Sequence, residues 1–418
     1  MAKSKIDWSP KNWPRLLFKL FSSYGLAALV LLFMTLITLF GTYYQVDHGL
    51  VAAKRKYFHS FFVVHELFGK VPLILPGGMT LMAMLFVNMV LGAIIKVRKR
   101  WRGAGLLISH SGILMLLAGG YVTYAFSTDG YMALYPGMKS NRVESYRDWQ
   151  VEIMPVTADH KAEKMWVIPT ASLEGIGENG SRTFTLPGLP LDVAIKGWAR
   201  NASPIPVSAP MSAQARGKAI DGFKLFTQPP SKKAEQNVPG CHAEFLSQDG
   251  KEKVETILWS GSYRFDAGEK PMPFLFEIGG KKFAALIAKK SWTVPFEVRL
   301  DKFIFERHPG VSMARNYESR ITRIEKGEPD KAVEIKMNEP MRYEGYTFFQ
   351  ESYGPADARP GDRMYSQFAV ANNPSDQWPL YALIVTGFGL AIHFLIKLFG
   401  FISRARRSQV AQRKDSVS

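Results

Sequence analysis

The sequence predicts a multi-pass α-helical membrane protein: four transmembrane helices, with a large antiparallel β-rich extracytoplasmic domain between helices 3 and 4. Three observations carry this. Four long segments lack Asp, Glu, Lys and Arg; positive charge gathers in three short pieces beside them; and strand-like runs fill the interval before the last apolar segment.

The uncharged segments are Leu20–Val46, Val71–Ile95, Gly103–Thr128 and Gln377–Ile396, of 27, 25, 26 and 20 residues. About 20 apolar residues cross a bilayer core, so each is long enough. The first is read as a retained anchor: its apolar run is too long for a signal peptide, and Gly41-Thr42-Tyr43-Tyr44 is a poor cleavage site. The layout is then a membrane part over residues 1–128 with helices at about 20–46, 71–95 and 103–128. A soluble domain over 129–376, a fourth helix over 377–403 and a basic cytoplasmic tail over 404–418 complete it. Trp8, Trp13, Tyr43, Tyr44, Trp101, Tyr121, Tyr124, Trp378 and Tyr381 flank the spans, as aromatic anchors at headgroup depth do. Proline at the start of the last span, Pro379, costs no hydrogen bond there.

Of the formal charge of +17, residues 1–19, 96–102 and 397–418 hold +14. Four spans put these three pieces on one side, which the positive-inside pattern makes the cytoplasm. A high net charge so placed sets topology and is no sign of nucleic-acid binding. Both termini are expected in the cytoplasm of a bacterial inner membrane, with Asp47–Lys70 and the large domain outside.

Within the domain, runs rich in Val, Ile, Phe, Tyr and Thr recur between Gly/Pro/Asn/Asp turns. They are Trp149–Met154, Thr183–Leu186, Leu191–Trp198, Lys253–Ser260, Phe274–Ile278, Lys282–Ile287, Phe296–Phe305, Ala332–Met337 and Tyr346–Gln350. The spacing predicts an antiparallel sandwich or barrel. Phe296 to Asp301 alternates apolar and polar, as a half-buried strand should. Asn201–Gly240, rich in Pro, Ala, Ser and Lys, reads as a long loop. No P-loop, HExxH, CxxC or GxGxxG after a strand occurs, so nucleotide-driven or hydrolytic chemistry has no visible site. The single cysteine, Cys241, can form neither an internal disulfide nor a dithiol pair, and reads as an incidental, semi-buried thiol.

Two of the eight histidines fall within spans. His110 lies about 11 Å along its helix from Gly103, in the cytoplasmic half. His393 lies in the antiparallel fourth span at a similar or slightly shallower depth. An ionisable residue in the membrane marks a functional site by default, and imidazole is a common haem ligand. Three readings of His110 stand open on the residues alone: a hydrogen bond to a neighbouring helix, haem or metal ligation, and proton transfer. His393 carries the same choice, with interfacial water within its reach, and the pair could converge on one metal. His59 and His65, six residues apart, share no helix face; with His48 they sit in the first outer loop. His160, His242 and His308 read as surface or turn residues.

The last third of the domain holds VPFEVRLDKFIFERHPGVSMARNYESRITRI (Val294–Ile324), EIKMNEPMRYEGYTFFQESYGP (Glu334–Pro355) and SQFAVANNPSDQWPLYALIVTGFGLAIHFLIKL (Ser366–Leu398). The Pro309-Gly310 turn after a Phe-rich strand, the pattern N.P..Y.GY.FFQ.SYG and the V..NP lead-in to the last helix resemble the ResB (CcsB) family of cytochrome c biogenesis proteins. TYYQVDHGL, LPGGMTLM and SHSGILMLLAGGYV in the N-terminal part fit as well. The resemblance runs over nearly the whole chain, most weakly from Met154 to about Leu258.

The resemblance implies one subunit of the System II haem synthase, a membrane complex that exports haem b and attaches it covalently to CxxCH motifs of apocytochromes c. It implies that His110 is an axial haem ligand. The second ligand and a Trp-rich WWD string would come from a ResC/CcsA-like multi-span partner; this chain has no such string. A thiol-reducing partner protein is implied for the substrate cysteines. His393 as a second haem ligand is a geometric suggestion only, outside the resemblance. Arg98, Lys99, Arg100 and Arg102 could attract haem propionates and equally serve topology. The chain alone is not expected to be catalytic. Two other functions fit the residues: a haem-b electron-transfer membrane subunit using His110 and His393, and a haem-free assembly scaffold or apocytochrome chaperone.

Overall fold

A computed structural model describes residues 12–67, 71–97, 100–156, 165–262, 272–308, 314–355 and 362–415. Pro14 opens a short amphipathic helix, α1 (Trp13–Phe21), and Ser22-Ser23 ends it. Ser23 then caps α2 (Tyr24–His48), its Oγ accepting from the Leu26 amide at 3.1 Å. The expected span Leu20–Val46 is therefore broken at its start, and His48 closes a helix instead of lying in the loop. A single turn, α3 (Leu50–Ala53), runs into a wide turn over Lys54–Phe58.

The expected span Val71–Ile95 is also shorter than its uncharged run. Val71–Pro76 is strand β2, antiparallel to β1 (Phe62–Leu67). Pro72, Pro76 and Gly77 explain the break, because proline cannot sit inside a helix without losing a hydrogen bond. Gly78, where the helix begins, lies against the backbone of Phe58; a Cβ there would stand 2.6 Å from the Phe58 carbonyl. Helix α4 (Gly78–Met89) continues through wider turns to Ile95. Its buried Asn88 donates from Nδ2 to the carbonyls of Phe21 (2.7 Å) and Ser23 (3.0 Å), and Lys96 Nζ donates to Ser22 (3.1 Å). These bonds satisfy the Phe21 and Ser22 carbonyls left open where α1 ends and add to the bond that Ser23 O takes from the Ala27 amide. Helix α5 (Ala104–Phe126) follows a short turn at Trp101–Gly103.

The β-rich part starts at Thr128. Strands β3 (Thr128–Leu134), β4 (Lys139–Pro155) and β5 (Trp166–Ile168) precede a one-turn helix, α6 (Thr170–Glu174). Then come β6 (Ser181–Thr185), β7 (Leu191–Ala199), β8 (Ala202–Pro206), β9 (Arg216–Ile220), β10 (Phe223–Thr227), β11 (Gly240–Ser247) and β12 (Lys253–Trp259). The chain goes on through β13 (Phe274–Ile278), β14 (Lys281–Arg307), β15 (Ala314–Ile324), β16 (Lys331–Lys336), β17 (Met341–Tyr343), β18 (Tyr346–Gly354) and β19 (Tyr365–Asn372). Asn201–Gly240 is thus not a loop: β8, β10 and β9 form a three-stranded sheet there, with its turns at the Gly, Pro and Ser positions. The expected strands at Lys282–Ile287 and Phe296–Phe305 are two halves of one strand, β14, bent where its register with β4 shifts between Thr293 and Val298.

All strand pairs among the described residues are antiparallel. A ten-stranded sheet runs β16-β15-β14-β4-β3-β19-β18-β17, with β13 beside β14 and β5 beside β4. A four-stranded sheet runs β12-β11-β7-β6. The first half of β14 (Phe283, Ala285, Ile287) packs with Val151 and Ile153 of β4 against Val193, Ile195, Ala243 and Phe245 of the smaller sheet. Its second half (Phe296, Val298, Leu300) packs with Leu134, Ile321, Phe348 and Phe368 in a separate core. The predicted alternation holds: Phe296, Val298 and Leu300 are buried while Glu297, Arg299 and Asp301 are not.

The last helix, α7 (Trp378–Asp415), continues well past the apolar span, so residues 404–415 of the expected tail are helical. Four helices, Tyr24–His48, Gly78–Ile95, Trp101–Phe126 and Trp378–Arg407, are long and apolar enough to cross a membrane, and the β-rich part lies between the third and fourth. The chain divides into two compact units, Met1–Ser127 with Asn373–Ser418, and Thr128–Asn372.

Candidate functional site

The two intramembrane histidines sit on the packed pair α5 and α7. On α5 the small residues Gly105, Ser109, Gly112 and Gly119 recur at intervals of four, three and seven, and all four are buried. That spacing keeps them on one helix face. The face meets α7. A Cβ on Gly105 would collide with the backbone of His393 and Gly389 and one on Gly112 with Ala382 and Thr386, while one on Gly119 would press on the Trp378 side chain at 3.2 Å. Ser109 Oγ donates to Gly105 O (3.0 Å) and Thr386 O (3.2 Å), and Ser375 Oγ donates to Gly119 O (2.9 Å). Small residues bring two helices close where no hydrophobic force between them exists in lipid, and the hydroxyls add interhelical bonds.

His110 is not on that face. At about 100° per residue it stands roughly 140° round α5 from Gly105. Leu106, Ile113, Leu114 and Leu117 share its side of the helix. Its Nδ1 lies 2.8 Å from the Leu106 carbonyl, which can only accept, so Nδ1 carries a proton and Nε2 is the ring nitrogen outside that bond. An imidazole that donates one N–H to a backbone carbonyl is oriented as metal-ligating histidines usually are.

His393 occupies the other place. Its backbone lies on Gly105, about one and a half turns from the level of His110. Its Nδ1 is buried with no hydrogen-bond partner, and Phe394 packs edge-on to its ring. The helix geometry therefore brings His393 to the α5–α7 seam and turns His110 away from it. Among the described residues no group of three or more His, Cys, Asp or Glu side chains is placed to hold a metal.

The histidines between the first two spans are built into aromatic contacts. His48 stacks on Tyr44 and donates from Nδ1 to the Tyr44 carbonyl (3.1 Å). His65 stacks on Phe40 and pairs with the Tyr57 hydroxyl (2.7 Å), and His59 meets Tyr124 edge-on. In the β unit, His242 is not a surface or turn residue. It lies within β11, half-buried against Gly217, and burial holds its imidazole below the usual range against a backbone bond at Lys218 that raises it. His308 is exposed, and His160 lies outside the described residues. Cys241 is wholly buried, deeper than expected, and burial pushes its thiol well above the usual range.

Neither Asn88 nor Lys289 stands out in the sequence. Asn88 carries no charge and disappears into an uncharged run. Lys289 ends the alternation Phe283, Ala285, Ile287 on the core side of β14, a position whose period calls for an apolar residue.

These features define a class: a four-span membrane protein carrying a large antiparallel β unit between its third and fourth spans. Within that class, residues 277–363 match the model of the ResB-like family, the family anticipated from the motifs. The match runs from the end of β13 to just short of β19 and does not reach His110 or His393. The ResB-like family implies a role in cytochrome c biogenesis. No curated protein matches the chain.

Proposed function

We propose that the chain is the haem-handling subunit of a cytochrome c synthase, with haem b as its cargo and His110 as an axial ligand. The observation that carries the assignment to His110 is the orientation of its ring. The Leu106 carbonyl accepts from Nδ1–H, and Nε2 is left to bind iron. The leucines and Ile113 beside it suit the apolar ring of haem, which itself supplies the vinyl groups for thioether formation. The residues of this chain bind and orient; they supply no acid, base or nucleophile to that step. Because His393 faces the α5–α7 seam, the second ligand is proposed to come from a ResC/CcsA-like multi-span partner in the same membrane. The β unit would then hold the apocytochrome or brace the partner, with large domain outside and both termini in the cytoplasm. A thiol-reducing protein would keep the substrate cysteines ready.

The experiment is a haem spectrum and a maturation assay on the complex purified through this chain. His110→Ala should lower haem content and stop maturation, and His110→Gly should recover both when imidazole is added. Unchanged haem content and maturation in His110→Ala would remove the ligand role. Full activity in His393→Ala is expected; loss of haem there would restore the pairing within one chain.

A further inference from the structure

Lys289 is an ammonium in a core position. Along β14, Phe283, Ala285, Ile287 and Lys289 point to the same side, and Lys289 is only 6% exposed. Its Nζ donates to the Tyr146 carbonyl at 2.6 Å and lies 4.0 Å above the Trp149 ring. No carboxylate among the described residues comes within ion-pair distance of it. Among the described residues the Tyr146 carbonyl is its hydrogen-bond acceptor, and an ammonium has three N–H donors.

Lys289 lines a cleft of about 540 Å³ within the β unit. That volume lies in the usual range for small-ligand sites, about 300–1,000 Å³. Ser260 lines the same cleft. It is 1% exposed, and its Oγ has no hydrogen-bond partner. A buried hydroxyl without a partner and a buried cation that no carboxylate touches are each costly, and Glu144, Asp148 and Glu235 offset the second cost only from a distance. Both are donors, and both belong to residues that line one space.

The mouth has the opposite character. Glu235 and Glu351 line the cleft and are exposed. Glu351 is held in place by the Tyr146 hydroxyl (2.7 Å) and by Gln367 Nε2 (3.0 Å). A simple anion would be repelled on entry. A ligand with its own positive charge set outside its anionic group would meet complementary charge at both depths.

We propose that this cleft is a ligand site in which Lys289 and Ser260 take a carboxylate, while Glu235 and Glu351 take a cationic group of the same ligand. The chemistry is that of a zwitterion: a polypeptide segment with neighbouring acidic and basic side chains, or a small free zwitterion. The site stands apart from haem handling on α5, and either assignment can fail without the other.

The test uses the full chain in detergent micelles with two probes, the blocked dipeptide N-acetyl-Glu-Lys-amide and glycine betaine. The readouts are titration calorimetry and the rate at which acetic anhydride acetylates Lys289, followed by mass spectrometry. Bound probe should slow acetylation of Lys289 about tenfold at saturation, and Lys289→Met or Ser260→Ala should each weaken binding about tenfold. Ser260→Ala removes one hydroxyl and guards against a folding defect in Lys289→Met. Glu351→Gln should weaken the dipeptide but not its analogue with norleucine in place of lysine. Binding by the dipeptide assigns the site to a polypeptide, and binding by betaine alone assigns it to a small zwitterion. If neither probe protects Lys289, or if both variants bind as the unaltered chain does, the site does not exist.

Discussion

Replacing Lys289 by Met should make the β unit more stable at neutral pH, and the gain should vanish in alkali. Burial pushes the Lys289 ammonium down from 10.5 to about 8, while Glu144, Asp148 and Glu235 pull it back only in part. The folded chain therefore releases this proton near pH 8, and the unfolded chain keeps it to about 10.5. Between those values the unfolded state binds more protons, so this residue makes stability rise with pH through that window. Below pH 8 the full cost is present. The gap from about 8 to 10.5 corresponds to about 3 kcal/mol at roughly 1.36 kcal/mol per pH unit. Methionine of similar length abolishes that cost but strips the Tyr146 carbonyl of its donor, which returns about 1 kcal/mol. The net gain near pH 7 is about 2 kcal/mol, or roughly 5 °C in the melting temperature of a unit this size. Thermal unfolding of the full chain, followed by near-ultraviolet circular dichroism at half-unit steps from pH 7 to 10.5, measures it. The quantity to read is the difference between variant and unaltered chain, which cancels other groups that titrate there. A difference that stays constant across the window would refute the reasoning.

Other outcomes follow from the same geometry. Gly112→Leu should overpack the α5–α7 seam against Ala382 and Thr386, costing about 1–3 kcal/mol in detergent unfolding, whereas Gly120→Leu, with open space around it, should cost little. Asn88→Leu removes two bonds to the α1–α2 corner and should lower stability by about 1 kcal/mol in the same assay. Cys241 should resist maleimide in the folded chain at pH 8 and react fully after denaturation; prompt native labelling would contradict its burial.

Much of the membrane architecture is legible along the chain, because lipid imposes a length and a polarity that a one-dimensional pattern must satisfy. The limits of that legibility show at Val71–Pro76. No charge separates this stretch from the helix after it, and only Pro72, Pro76 and Gly77 betray the hairpin. The alternation from Phe296 to Asp301 reads correctly because one face of that strand is buried. Asn201–Gly240 misleads because its strands are short and rich in the Pro, Ser and Gly that mark turns. His242 misleads for another reason: nothing local reveals that Gly217 lies beside it.

The candidate site divides the same way. An uncharged run of 26 residues around His110 is enough to place a histidine in the membrane and make it a suspect. Motif order then suggests the family, and the match over residues 277–363 agrees. Which way His110 and His393 face is not written in either segment alone. It depends on which stripe of α5 is small enough to let α7 approach, and that stripe runs through Gly105 and Gly112, far round the helix from His110. Lys289 is the same kind of case. Its cost comes from Tyr146 and Trp149 of β4 and from a turn at Ala234–Gln236 that come beside it only in the folded unit, so its environment exists in three dimensions and nowhere along the chain.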